Sequence, residues 1–162
     1  MRSIKLSQGY FALVSNKDYV RCMQGYAWHV DKRKDRTTIY AKRMSYEGKG
    51  KSHTEQLHRF ILGVTDPTIK VDHKDGNGLN NMRSNLRQAT HAENLQNRGK
   101  QINNTSGYKG VTWHKQRGKW AAQLSYKGKH VSLGLHLTAK AAALAHDAAA
   151  KRLFGRFART NF

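Results

Sequence analysis

The stretch VDHKDGNGLNNMRSNLRQATHAENLQN, Val71–Asn97, decides how this chain is read. Ile69–His73 leads into it as a short apolar run, a strand by composition, and Asp75-Gly76-Asn77-Gly78 is a turn. Leu86–Ala89 supplies the return strand. Thr90 and Glu93 stand at capping-box spacing and open a helix through Gln96. A strand, loop, strand, helix order is able to bring Asp72, His73, Asn85 and Asn94 to one edge. Phosphodiester hydrolysis needs a base for water, a cation for the developing charge and stabilisation of the leaving oxygen. His73 has the intrinsic pKa of such a base. Asp72 and Asn94 offer hard oxygen ligands to one divalent cation, and Asn85 is placed to hold the His73 ring in the tautomer that leaves one nitrogen free.

These residues sit in a wider pattern that resembles the HNH endonuclease family, of the ββα-metal kind found in phage and intron homing endonucleases. The likeness covers about residues 55–97. It rests on LHRFILG (Leu57–Gly63), the Asp72-His73 pair, DGN (Asp75–Asn77), Asn80-Asn81, NLR (Asn85–Arg87) and ENLQN (Glu93–Asn97). The resemblance implies His73 as general base, one divalent cation on Asp72 and Asn94, and Asn85 orienting His73. Oxygen ligands favour Mg²⁺ or Mn²⁺ over zinc. Asp75 and Asn77 read as turn formers, His58 as a buried or capping residue and His91 as solvated. Arg59, Asn81 and Arg87 are candidates for contact with DNA.

Charge supports a polyanionic partner. The 162 residues carry 30 Lys and Arg against 10 Asp and Glu, a net charge of +20. Such an excess opposes compaction by self-repulsion unless a polyanion is the normal partner. It is unevenly spread: +8 over residues 1–54, +2 over 55–100 and +10 over 101–162, where Asp147 is the single acid. Basic flanks suit phosphates, and the acids gather where a cation is needed. Cys22 stands alone, which excludes an internal disulfide and a multi-thiolate zinc site and fits a reducing cytosol. The longest apolar run near the N-terminus, Tyr10–Val14, is too short for a signal-peptide core, and no stretch approaches the roughly 18 apolar residues of a membrane span.

Beyond Arg98–Gly107, which reads as a linker, apolar and polar residues alternate with period two. Val111 and Trp113 share one parity, and Trp120, Ala122, Leu124 and Tyr126 point one way. Glycine-containing turns at Gln116–Lys119 and Lys127–Lys129 make this a three-stranded antiparallel meander. Thr138 caps an alanine-rich helix, Ala139–Phe154, closed by Gly155. Trp113 and Trp120 are expected in the core. Outward Thr112, His114, Gln123, Ser125, His130 and Ser132 are placed to reach base edges or phosphates. Lys109, Lys115, Arg117, Lys119, Lys127 and Lys129 gather at the turns. A solvated sheet face explains the polarity but not eleven cations against one acid.

SGYKGVTWHKQRGKWAAQL (Ser106–Leu124), VSLG (Val131–Gly134) and AAALAHDAAAKRLFGRFARTNF (Ala141–Phe162) resemble the plant ethylene-response-factor DNA-binding domain, the Apetala-two type. This implies a sheet in the major groove, with reading positions at Lys109, Gly110, Thr112, His114, Gln123, Ser125, His130 and Ser132. Many of these are Arg or Trp in the plant proteins, so the plant target is not expected here.

Residues 1–54 read as strand-rich: Tyr10–Val14, a turn at Ser15–Asp18, strands at Tyr26–Val30 and Thr37–Lys42 about the charged turn Asp31–Arg36, then a break at Gly48-Lys49-Gly50. Ser52 and Glu55 have capping-box spacing, which predicts a helix from His53 to about Leu62. Lys32–Arg36 and Lys42-Arg43 are expected to contact DNA.

The fold class is α+β: a strand-rich region (1–54), an HNH core (55–97), a linker (98–107) and a sheet-plus-helix DNA-binding domain (108–162). The function expected is that of a homing or free-standing phage-type endonuclease, monomeric on double-stranded DNA, with no membrane partner. One base and one cation imply that each event cuts one strand. The rivals are a DNA-binding regulator with a decayed nuclease motif and an RNA-directed protein. The second is opposed by the few aromatics at outward sheet positions.

Overall fold

The computed structural model describes residues 1–32, 38–46, 48 and 50–162. It is α+β and divides into two compact units, Met1–His91 and Ala92–Phe162. The first contains β1 (Arg2–Lys5), β2 (Phe11–Val14), α1 (Asn16–Met23), β3 (His29–Asp31), β4 (Tyr40–Tyr46), β5 (Ser52–Gln56), α2 (Leu57–Leu62), β6 (Lys70–His73), β7 (Asn80–Asn81) and β8 (Leu86–Ala89). α3 (His91–Gln96) begins where the units divide. The second unit continues with β9 (Val111–His114), β10 (Lys119–Tyr126), β11 (Lys129–His136) and α4 (Ala139–Phe154).

Three small sheets share one core in the first unit. β1-β2-β7 has β7 parallel to β2, β3-β4-β5 is antiparallel, and β6 pairs with β8. Ile4, Val14, Trp28, Ala41, Leu57, Ile61, Val71 and Leu86 are buried together. Each large apolar side chain so buried contributes about 1.5–3 kcal/mol. The Trp28 indole N–H, which needs a partner inside, donates to Cys22 O at 2.7 Å.

Several expectations for this region are corrected. Ser15–Asp18 is not a turn but the entry to α1, with Asp18 in the first helical turn where a negative charge is favoured. Residues 52–56 are strand rather than helix. Ser52 and Glu55 make no capping box, because β5 pairs with β4 and Glu55 stands opposite Arg43 at 2.8 Å. The helix is therefore confined to Leu57–Leu62 and ends at Gly63 in the left-handed region, φ +67°. Arg43, expected on DNA, is buried between the Trp28 and Phe60 rings, its guanidinium carbon 4.4 Å from each centroid. Lys42 is turned to Asp31 at 3.1 Å. Of the basic run Lys32–Arg36, residues 33–36 lie outside the described residues, as do 37, 47 and 49.

In the second unit the meander forms as its period-two pattern predicts, with β10 central. α4 covers one face through Ala142, Ala143, Ala149 and Ala150, all buried, and Thr138 caps it by accepting from Ala141 N at 3.1 Å. The small alanines allow close approach to Val111, Ala122 and Leu124. Trp113 is the exception to the expected core. It lies on edge strand β9 opposite Trp120, in edge contact at 5.0 Å, and stays 47% exposed. The far end of the expected linker is tied down: Asn104 donates to Tyr108 O at 2.8 Å and Ser106 to Val111 O at 2.8 Å. A buried carboxylate closes the unit. Asp147 accepts from the His146 ring at 3.0 Å, from Asn161 N and Nδ2 at 2.7 and 2.9 Å, and from Phe162 N at 3.0 Å. Among the described residues no helix is long and apolar enough to cross a membrane.

Candidate active site and DNA-facing sheet

β6 ends on Asp72 and His73. Pairing with β8 sets Asp72 opposite Arg87 and His73 opposite Leu86. The cross-strand pair is an ion pair, with Arg87 Nε and Nη2 at 2.7 and 2.6 Å from the same oxygen, Asp72 Oδ2. The loop after His73 is knitted by its own side chains. Asp75 Oδ1 accepts from Asn77 N at 2.8 Å, and Asn77 Oδ1 accepts from Leu79 N at 3.0 Å. Asn80 and Asn85 donate to the two Asp75 oxygens. Partial burial opposes ionisation of Asp75, but these donors outweigh it and hold its carboxyl below the ordinary value.

Two asparagines fix His73. Asn85 O accepts from Lys74 N at 2.9 Å and Asn85 Oδ1 accepts from Asp75 N at 3.1 Å, so this residue grips the backbone just past the histidine. Its amide nitrogen is given to Asp75 Oδ1 and Asn80 O. Asn81, without exposed surface, places Oδ1 at 3.3 Å from His73 Nε2 and donates Nδ2 to Gly78 O at 3.3 Å. That second bond fixes the orientation of the amide, so Nε2 carries the hydrogen and Nδ1 the lone pair. His73 is 4% exposed, and burial drives its pKa below the ordinary value although Asn81, Asp75 and Asp72 act in the opposite direction. His58 meets the ring edge-on, centroids 5.1 Å apart, and Tyr40 of β4 lies within 6 Å of both imidazoles, at 5.6 and 5.8 Å. Burial first, then His73 and Arg59, push His58 down to about 3, so it is neutral. Its Nδ1 is buried without a hydrogen-bond partner. Gly78 lets this wall close: a Cβ there would meet Ile39 O at 2.3 Å and the Tyr40 ring at 2.7 Å.

The loop is stapled to the N-terminal elements. Arg83 binds the buried Asp18 carboxylate through Nε and Nη2, and also donates to Ile61 O at 2.7 Å. Its backbone N–H donates to Ser15 Oγ at 3.1 Å. In the second unit, the outward sheet face carries Thr112, Ser125, His130 and Ser132 exposed, with His114 and Gln123 half-buried. Arg117 is exposed in the turn after β9.

Residues 62–96 match the family model for HNH endonuclease, and residues 106–156 match that for the AP2 domain. One segment of the chain is thus similar to HNH endonucleases and another to the AP2 domain. It is similar to Protein 3.8 of Escherichia phage T7, 44% identical over 59 residues that make up 36% of this chain and 49% of that one. It is also similar to an uncharacterised HNH endonuclease of Acanthamoeba polyphaga mimivirus, 36% identical over 117 residues, 65% of this chain and 57% of that one. The chain thus spans about half the length of these relatives. No solved structure matches it.

Within the HNH segment the structure brings Asp72, His73 and Asn85 to one hairpin. Asn94 stands half-buried on α3, in the part of the chain that belongs to the second unit. Three candidates for DNA contact are engaged inside the fold. Asn81 has no exposed surface and holds His73 instead. Arg87 is on Asp72. Arg59 straps the loop after α2, donating to Ile69 O at 2.7 Å and Asp66 O at 2.6 Å. Their donors satisfy buried or turning backbone and carboxylate oxygens, which composition alone does not separate from phosphate contacts. In the AP2 domain, Lys109 donates to Gln96 O at 2.7 Å. Burial and then Arg159 lower its pKa to about 8. Gly110, at φ +74°, is required by close packing: a Cβ would lie 2.2 Å from His146 Cδ2. Sequence reasoning missed the roles of Asn81, Tyr40 and Arg83. The adjacent Asn80-Asn81 pair was the one visible signal for the first.

Proposed function

We propose that the chain is a metal-dependent DNA endonuclease in which His73 is the general base and the AP2 domain holds the substrate. The observation that carries this reading is the buried Asp72-His73 pair, with Asn81 Oδ1 at 3.3 Å from Nε2 setting the ring so that its lone pair is on Nδ1. Water attacks phosphorus, its proton passes to His73 Nδ1, and the bond from phosphorus to the leaving ester oxygen breaks. Asn81 keeps the tautomer, and Asn85 keeps the loop that aims the ring. A carboxylate and an amide oxygen are donors suited to Mg²⁺ or Mn²⁺, so Asp72 and Asn94 would hold one divalent cation. When bound, it would neutralise charge on the scissile phosphate and the leaving oxygen. One base and one cation make each event a single-strand cut, by a chain acting as a monomer on duplex DNA in the cytosol of a phage-infected or homing-element host.

A second reading has one observation in its favour. Arg87 already neutralises Asp72, which is the arrangement expected of a DNA-binding protein whose metal site has decayed. Arg87 reaches Asp72 Oδ2 at 2.6 and 2.7 Å, so in the nuclease reading the cation would share this carboxylate with Arg87.

The readings separate with supercoiled plasmid. We expect nicking with Mg²⁺ or Mn²⁺ and none after exhaustive chelation. Cutting that survives chelation overturns the metal assignment, and binding without cutting at any divalent concentration favours the regulator.

Division of labour is tested by truncation. Deleting residues 101–162 removes +10 of charge. Affinity is expected to fall strongly and its salt dependence to become shallower, because fewer counterions are released. The remaining segment is expected to nick slowly at high concentration, having lost the local concentration that a tethered reader provides. Unchanged affinity and salt slope would place the DNA-binding surface elsewhere.

A further inference from the structure

The outward face of the AP2 sheet is not uniformly polar. Thr112, Ala121 and Leu135 form one row across β9, β10 and β11, Ala121 being paired with Thr112 on one side and Leu135 on the other. Val111 and Ala122, their chain neighbours, lie in the core under α4, so the row faces away from the helix. Leu135 reaches this face through a bulge. The pairing runs Leu124–Val131 and Gln123–Ser132, then shifts by one residue to Ala121–Leu135. Gly134 takes φ +95° within the bulge. In unbroken register Gly134 would oppose Ala121, and Leu135 would point to the α4 side. The bulge therefore places a 41% exposed leucine beside an alanine methyl and a threonine on a surface otherwise polar.

From residue 101 onward the unit has eleven Lys and Arg, and the single acid of that stretch, Asp147, is buried. That charge selects a polyanion, and the row specifies what on the polyanion is touched. We propose that Thr112, Ala121 and Leu135 receive the C5-methyl group of thymine in the major groove, so that the sheet selects A·T pairs. This rests on the reading of the AP2 sheet as a major-groove binder. The C5-methyl is the one apolar group that an unmodified base pair shows in that groove. Gln123, the next outward residue on β10, fits the adenine of such a pair, because an amide matches N6 and N7 together. His130 Nε2 lies 2.9 Å from Gln123 Oε1, which fixes the oxygen end of that amide. A sheet reading G·C would present a guanidinium or ammonium to guanine O6 and N7. Among the outward positions Thr112, His114, Lys119, Ala121, Gln123, Ser125, His130, Ser132 and Leu135, Lys119 at the end of β10 is the one permanent cation, and those flanking the row on β10 and β11 are uncharged or imidazole.

The test uses the full chain in chelator, so that binding is read without cutting. Selection from random duplexes is expected to enrich an A·T core. In that duplex, uracil in place of the contacted thymine is expected to weaken binding roughly three- to five-fold, the worth of one buried methyl. Ala121→Gly and Leu135→Ser are each expected to abolish the thymine–uracil difference, read as the ratio of the two affinities for each variant, and a ratio of native size in both overturns the proposal. Equal binding of thymine and uracil duplexes overturns the proposal, as does an enriched G·C core. A G·C duplex that gains more from 5-methylcytosine than the A·T duplex loses with uracil assigns the row to a modified cytosine and overturns thymine. Absence of binding to any duplex at low salt overturns the major-groove reading itself.

Discussion

His73→Ala is expected to cut DNA roughly 10²–10⁴-fold more slowly than the native chain in single-turnover assays with Mg²⁺, the usual worth of a positioned base. Its affinity for duplex DNA is expected to stay within about two-fold, because a neutral, buried imidazole contributes nothing to the counterion release that dominates binding. Asp72 and Asn94 are untouched by the change, so metal binding should persist. Asn81→Ala and Asn85→Ala are expected to cost less, since each leaves the base in place. The first frees the tautomer by removing the 3.3 Å contact to Nε2, and the second loosens the backbone at Lys74 and Asp75. Cleavage rates beside a binding titration for each variant decide it. If His73→Ala bound normally and cut at the native rate, the base would lie elsewhere and the assignment of this hairpin would fail.

Asp147→Ala is expected to destabilise the second unit by about 3–5 kcal/mol, as when one partner of a buried charged network is removed. The carboxylate receives four donors at 2.7–3.0 Å, from the His146 ring, both nitrogens of Asn161 and the backbone of Phe162. Asn161 in turn bonds both backbone groups of Lys109, its Oδ1 accepting from Lys109 N at 2.7 Å and its Nδ2 donating to Lys109 O at 3.2 Å. One deletion therefore releases the C-terminus from α4 and loosens the strand entry beside Gly110. A unit of this size has only about 0.05–0.15 kcal/mol of stability per residue, so a large share of it would be lost. Asp147→Asn is expected to fail too, because its amide nitrogen would face donors in either orientation. Ser132→Ala, on the outward face, is the control and should change stability by no more than about 0.5 kcal/mol. Calorimetry following the melting of this unit gives the answer. An unshifted transition in Asp147→Ala would show that the clamp is not what holds the terminus.

The elements legible in the sequence were those whose cause is local. The β6–loop–β8–α3 order follows from apolar runs, turn composition and cap spacing within Val71–Asn97. The meander follows from period-two alternation, and α4 from Thr138, the alanines and Gly155. Asp75 and Asn77 as turn formers also follow, since their oxygens bond backbone nitrogens two residues on. The AP2 and HNH resemblances agree with the family matches because they rest on such contiguous patterns.

What the sequence did not disclose depends on partners far along the chain. Ser52–Leu62 carries a capping-box spacing and helical apolar spacing together, and only its pairing with β4 makes the first half a strand. Asp18 and Arg83, 65 residues apart, look like a turn residue and a surface cation until the fold brings the arginine onto the buried carboxylate. Asn81 looks like a DNA contact until the two-residue strand β7 joins β2 in parallel and buries it against His73. Arg43 and Arg87 count as positive charge in composition, yet tertiary packing places them on Glu55 and Asp72. The face on which Leu135 stands is set by a one-residue bulge that period-two reading cannot see. By itself, then, the sequence determined the strand–loop–strand–helix and meander–helix orders and the identity of the chemical groups, through propensity, spacing and capping. The tertiary structure decided which polar groups are consumed inside and which face outward, because burial and pairing depend on residues that only folding brings together.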